Sequence, residues 1–154
     1  GDRLVFYEDA QLDLIKLLSL ETQLERLLSK KVWLKSGGFL VIEPTEAFVV
    51  IDVNTGRYTG KKTGEETFLK INMEAAEEMA KQLRLRNLSG IILIDFINMK
   101  QPENKKMLIE TLKAEIAKDS VRTVFVDMTR LNIAELTRKK VRKPLYEQLM
   151  GERT

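Results

Sequence analysis

Ala47-Phe48-Val49-Val50-Ile51-Asp52 and Ile91-Ile92-Leu93-Ile94-Asp95 are the two stretches that decide the reading of this sequence. Each is a short, β-branched apolar run that climbs to an aspartate and stops. Such runs predict strands, here buried on both faces. A carboxylate at the C-terminal end of a strand leaves the core where open α/β sheets place their ligand sites. Two such ends can aim two carboxylates at one spot, and a divalent cation is the usual reason to tolerate that repulsion. The competing reading is that each aspartate opens a turn or caps a helix.

Composition limits the chemistry. The chain has 154 residues, 44% of them hydrophobic, enough for one core and a short satellite segment. Nothing in it reads as a membrane span or a secretory leader. It contains no cysteine and no histidine. Disulfides, thiolate zinc sites, His-dependent triads and His-bound zinc are therefore excluded, and a reducing compartment is compatible. Any resident metal must sit among oxygens, which suits magnesium, manganese or calcium. The net charge of +3, from 26 Lys+Arg against 23 Asp+Glu, permits a nucleic-acid partner without demanding one. Arg138, Lys139, Lys140, Arg142 and Lys143 concentrate the excess, either as a solvated helix end or as a phosphate-binding patch.

Outward from the two runs, leucines at 17, 20, 24 and 27 predict a helix over about Glu8–Lys31. With the Ser36-Gly37-Gly38 turn after it, residues 1–35 read as a helical arm or connection, and residues 36–150 as an α/β unit. Phe39–Ile42 and Glu46–Val53 form an expected strand pair around Pro44. Thr63 with Glu66 has the form of a capping box, opening a helix to about Arg86 whose inner stripe is Phe68, Ile71, Ala75, Met79 and Leu83. Pro102 opens another helix, with Leu108, Leu112 and Ile116 on one side. Val121–Val126 is a strand ending at Asp127, and a last helix is expected over about Asn132–Leu149. This alternation predicts a mixed, partly parallel sheet flanked by helices, with the later strands parallel.

The strand ends have suggestive surroundings. Asp52 and Asn54 stand at i and i+2, on one side of an extended chain. The loop that follows carries Gly56, Gly60, Arg57, Lys61 and Lys62, which suit an anion held at a metal, or an ordinary exposed connection. Glu46 and Asp127 are lesser candidates for the acidic cluster, Glu46 because it starts its strand, Asp127 because it can simply begin the turn into Thr129 and Arg130.

VWLKSGG, TEA, IDVNTGRYTGKK, EAAEEMAKQLRLRNLSG and IILIDFINM together resemble the catalytic region of the ribonuclease E/G family of bacterial endoribonucleases, and TRLNIAELTRKK extends the resemblance more weakly. The 43-residue interval between Asp52 and Asp95 fits the family pattern. The resemblance implies a deoxyribonuclease-I-like catalytic subdomain that cuts single-stranded RNA with Mg2+, Mn2+ being able to substitute, and leaves a 5′-phosphate on the downstream product. It implies Asp52 and Asp95 as the metal ligands, Asn54 as the asparagine supporting them, and Arg122 near the pocket for the RNA 5′ end. Arg57, Lys61 and Lys62 become candidate RNA contacts. Cytoplasmic RNA processing and decay, including rRNA processing, are the implied setting.

Departures from the family pattern set further expectations. The oligonucleotide-binding and 5′-sensing segments are not in this sequence, and no RNA-stacking aromatic cluster is visible, aromatics being 6% of the residues. The zinc-linking CPxC pair is absent, which excludes oligomerisation by that route through this chain. Asn132 stands where glycine is usual. Gly1 at the start reads as a truncation. A catalytically inactive RNA- or metal-binding fragment is therefore the alternative to an active core, and a phosphate-binding regulatory module is a third.

Overall fold

The computed structural model describes residues 4–56 and 64–151. In chain order the elements are α1 (Leu14–Leu17), α2 (Leu20–Leu28), β1 (Lys31–Trp33), β2 (Phe39–Pro44), β3 (Phe48–Asn54), α3 (Gly64–Leu85), β4 (Gly90–Asp95), α4 (Pro102–Ile116), β5 (Thr123–Met128), β6 (Ile133–Arg138) and α5 (Leu145–Gly151). One six-stranded sheet has the order β1-β2-β3-β4-β6-β5. It is mixed: β3 and β4 pair in parallel, and every other neighbouring pair is antiparallel.

The parallel pair exists because α3 carries the chain back across the sheet between β3 and β4. Its stripe of Ile71, Ala75, Met79 and Leu83 is wholly or almost wholly buried, and α4 adds Leu108, Leu112 and Ile116 to the same core. The core face of the sheet supplies Val49, Ile51, Val53, Ile92, Ile94, Ala134 and Leu136. Among the described residues no long helical face covers the other side. Phe48, Val50 and Ile91 remain exposed there, so β3 and β4 alternate and are not buried on both faces as expected. Apolar residues on both faces of a strand do not say that both faces are covered in the same chain.

Three further expectations are corrected. The helix over Glu8–Lys31 is two short helices, because Ser19 takes a left-handed φ of 50° between them. Asp13 starts the first, accepting from the Lys16 N–H at 2.8 Å. The later strands are not all parallel neighbours: β6 returns as a hairpin and inserts between β4 and β5. Finally, Asn132–Leu149 is not one helix. Asn132, with φ of 64°, closes the β5–β6 turn, and Ala134, Leu136 and Arg138 then point inward at strand spacing. An inward arginine disguises that alternation in the sequence. The sheet itself begins at β1, inside the stretch read as the helical arm.

Arg138 explains its own burial. Its Nε donates to Asp119 Oδ2 at 2.8 Å, and its Nη1 donates to the Leu88 carbonyl at 2.9 Å and to Asn87 Oδ1 at 3.1 Å. Both side chains of the ion pair are at most 4% exposed. A cation that deep persists only when paired and hydrogen-bonded. Arg138 therefore leaves the surface basic patch, whereas Lys139, Lys140, Arg142 and Lys143 stay exposed.

Candidate metal centre

Asp52 lies near the end of β3 and Asp95 is the last residue of β4. They are register partners across the parallel pair, on the face that the helices do not cover. Adjacent strands lie about 4.8 Å apart, so the two carboxylates share one locality. Asn54 Nδ2 donates to Asp52 Oδ2 at 2.7 Å, as expected for two side chains on one side of an extended strand. The carboxyl of Asp95 is held above its ordinary range, first by burial and then by the Asp52 charge. A carboxylate whose ionisation is disfavoured by burial and by a second carboxylate makes a site where a cation relieves the repulsion.

Among the described residues no group of three or more acidic side chains is poised around an ion. Two carboxylates and an amide oxygen are a hard, all-oxygen set that leaves most of a coordination sphere open. That fits Mg2+, which keeps several waters and is commonly held by one or two carboxylates plus a substrate phosphate. Asp52 and Asp95 would hold it.

The supporting residues were not visible as site residues in the sequence. Beyond Asp95 the chain runs through Phe96 and Met99, both buried, and is held by α3. Asn72, fully buried, donates from Nδ2 to the Ile97 carbonyl at 2.8 Å and accepts at Oδ1 from the Ile97 N–H at 3.0 Å. Glu65 accepts from the N–H groups of Lys100 and Gln101 and from Asn104, satisfying orphan donors at the start of α4. These bonds hold the Glu65 carboxyl below its ordinary range, the Gln101 N–H contributing most. Asn132 donates to Asn98, tying the β5–β6 turn to the same loop. The available signal was Asn72 itself, a polar residue beside the apolar stripe of a long helix.

The Ser36-Gly37-Gly38 turn buttresses the other aspartate. A Cβ on Gly38 would lie 2.8 Å from the Asn54 carbonyl oxygen, and one on Gly56 would lie 2.2 Å from the Gly37 carbonyl oxygen. Gly56 also has φ of 61°. Only glycine permits this backbone contact, so the SGG and NTG strings are two halves of one junction behind Asp52 and Asn54.

Other candidates fall elsewhere. Arg57, Lys61, Lys62 and the Thr63 cap lie outside the described residues. Arg122 is exposed just before β5, whose first residue aligns through Arg138 with Gly90. That is the end of the sheet opposite Asp95, so Arg122 lies away from the candidate metal centre. Glu46 precedes β3 at that same far end. Asp127 does not end its strand; it sits inside β5 beside a bulge, opposite Glu135, with β6 between it and β4. No helix among the described residues is long and apolar enough to cross a membrane.

Comparison with known proteins follows the same lines. A family model described as the Ribonuclease E/G family matches residues 1–141. Ribonuclease G of Escherichia coli (strain K12) is 40% identical over 136 residues, covering 88% of this chain and 28% of that protein. Ribonuclease G of Haemophilus influenzae is 40% identical over 152 residues, covering 99% of this chain and 31% of that protein. Ribonuclease E of Nostoc sp. is 40% identical over 139 residues, covering 90% of this chain and 20% of that protein. The chain thus spans less than a third of the length of these curated relatives.

Proposed function

The chain belongs to the ribonuclease E/G family, and on that premise we propose that it is the Mg2+-dependent catalytic part of an endoribonuclease that cuts single-stranded RNA. The observation that carries the reading is the register pairing of Asp52 with Asp95 on the open face of the sheet. When bound there, the ion supplies Lewis acidity for attack of water at phosphorus and for the charge that develops on the phosphate oxygens. Hydrolysis that breaks the bond to the 3′ oxygen leaves a 5′-phosphate on the downstream product.

The chain's own residues then have distinct tasks. Asp52 and Asp95 fix the position of the ion from two strands, which one carboxylate alone would not do. Asn54 orients Asp52 through its amide and keeps that carboxylate from turning into solvent. Arg57, Lys61 and Lys62, on the loop after Asn54, are placed by sequence to meet the phosphate backbone, and Arg122 to meet RNA farther along. Processing and decay of cytoplasmic RNA, rRNA included, is the setting that goes with this activity. Manganese, with the same preference for oxygen ligands, should substitute.

A second reading rests on one observation, the small share of each relative that this chain spans. In it the chain holds metal or RNA without turning over alone. The deciding experiment incubates 5′-monophosphorylated single-stranded RNA with the chain in Mg2+, in chelator, and with Asp95→Asn. Cleavage confined to wild type in Mg2+ supports the nuclease. Cleavage that survives both chelator and substitution overturns it. Metal binding without cleavage, lost in Asp95→Asn, supports the second reading.

A further inference from the structure

No aromatic stacking cluster is visible in the sequence, yet the sheet assembles one. Trp33 of β1 is the register partner of Phe39 of β2, and Phe39 is in turn the partner of Asn54. Partners across a ladder project to the same face. The Trp33 and Phe39 rings meet edge to face, with centroids 5.3 Å apart and planes at 62°. Lys31 Nζ sits 4.1 Å from the Trp33 ring centroid and 3.6 Å from that of Phe39. Lys31 itself lies in the row that continues through Val41 to Asp52 and Asp95. The indole is 62% exposed although it is the largest apolar side chain in the sequence.

We propose that Trp33 and Lys31 form a nucleotide subsite, in which the base next to the scissile phosphate stacks on the open indole face and its phosphate meets the Lys31 ammonium. This rests on the nuclease reading of Asp52 and Asp95. Three features make RNA the occupant. The platform shares a sheet face with the metal centre, and β1 is two strand spacings, about 10 Å, from β3. That span suits a neighbouring nucleotide of an unstacked strand. The charge is complementary, a cation held over rings beside a site for phosphate. An exposed aromatic paired with a cation is also the sequence-tolerant way to hold single-stranded bases. The edge contact with Phe39 fixes the indole before RNA arrives, so little side-chain entropy is lost on stacking.

Trp33 is the sole tryptophan, so its emission reports on this subsite alone. The test titrates the chain with a labelled single-stranded RNA decamer in chelator, which prevents cleavage, and reads both tryptophan emission and RNA anisotropy. Saturable quenching is expected at the concentration where anisotropy rises. Trp33→Leu should weaken binding roughly five-fold to a hundredfold, the range of one stacked base, and Trp33→Phe should keep most of the affinity. An oligomer lacking its bases should bind weakly and leave the emission unchanged. RNA binding with unchanged emission and an unchanged Kd in Trp33→Leu overturns the subsite, as does the absence of RNA binding. Cleavage in Mg2+ is scored separately: quenching without cleavage in any condition keeps the subsite and rejects the nuclease reading. Equal melting curves for the variants exclude misfolding, since Trp33 lies on an exposed edge strand.

Discussion

Asn72 of α3, itself fully buried, and Ile97 of the loop after β4 exchange two part-buried hydrogen bonds, side-chain amide to backbone. The pairing imitates a strand partner and extends the ordered backbone two residues past Asp95. It links the longest helix to the position of a candidate metal ligand, and no stretch of sequence on its own announces it.

Asn72→Ala should therefore do two things. It removes both hydrogen bonds to the half-buried Ile97 backbone, at a cost of about 1–3 kcal/mol in denaturant unfolding. It should also weaken Mg2+ binding, because Asp95 loses its fixed exit. Titration calorimetry with Mg2+ on the folded variant checks the second effect. Unchanged metal affinity would confine Asn72 to stability.

The Arg138–Asp119 pair predicts a different signature. Removing one member, as in Asp119→Ala, strands a buried cation and should cost about 3–5 kcal/mol. Burial alone would raise the Asp119 carboxyl. The Arg138 hydrogen bond, the Val121 N–H and the Arg138 charge outweigh it and hold the group below its ordinary range. A depressed carboxyl contributes stability that is present above its unfolded value and lost as pH falls through its folded value. The slope of Tm against acid pH should accordingly flatten in Arg138→Met.

Asp95 has the opposite sign. Its raised carboxyl contributes stability below the unfolded value, and that contribution is lost as pH rises through the folded value. Asp95→Asn should hence raise the metal-free Tm at neutral pH by roughly one to a few degrees, while abolishing activity. Metal binding requires the deprotonated group, so Mg2+ affinity in wild type should fall as pH drops into the raised range. Calorimetric scans with and without Mg2+ read both effects.

At the glycine junction, Gly56→Ala should be the more damaging of two alanine substitutions. Its Cβ would collide with the Gly37 carbonyl oxygen in a left-handed backbone, whereas the Gly38 Cβ meets the Asn54 carbonyl oxygen less closely. Both should lower activity more than stability, because the displaced segment carries Asp52 and Asn54. Cleavage rate and Tm, measured side by side, distinguish the two effects.

The centre of the candidate site was legible in the sequence and its support was not. Asp52, Asn54 and Asp95 were legible because each closes an apolar run and because strand periodicity puts Asp52 and Asn54 on one side. The parallel pair was legible from the 22-residue helix between those runs. β6 was not, because Arg138 occupies an inward position and finds Asp119 only after folding. Nor was the open face, whose Phe48, Val50 and Ile91 look like core residues until the helices are seen to pack on one side alone. Trp33, Phe39 and Lys31 come together through cross-strand register, which composition does not encode.

The most direct test of the metal centre is a crystal structure of the chain soaked in Mn2+, read by anomalous scattering. One ion shared between the Asp52 and Asp95 carboxylates, absent from an Asp95→Asn crystal treated in the same way, is the predicted result. Manganese bound away from both aspartates, or bound equally well in the variant, would contradict it.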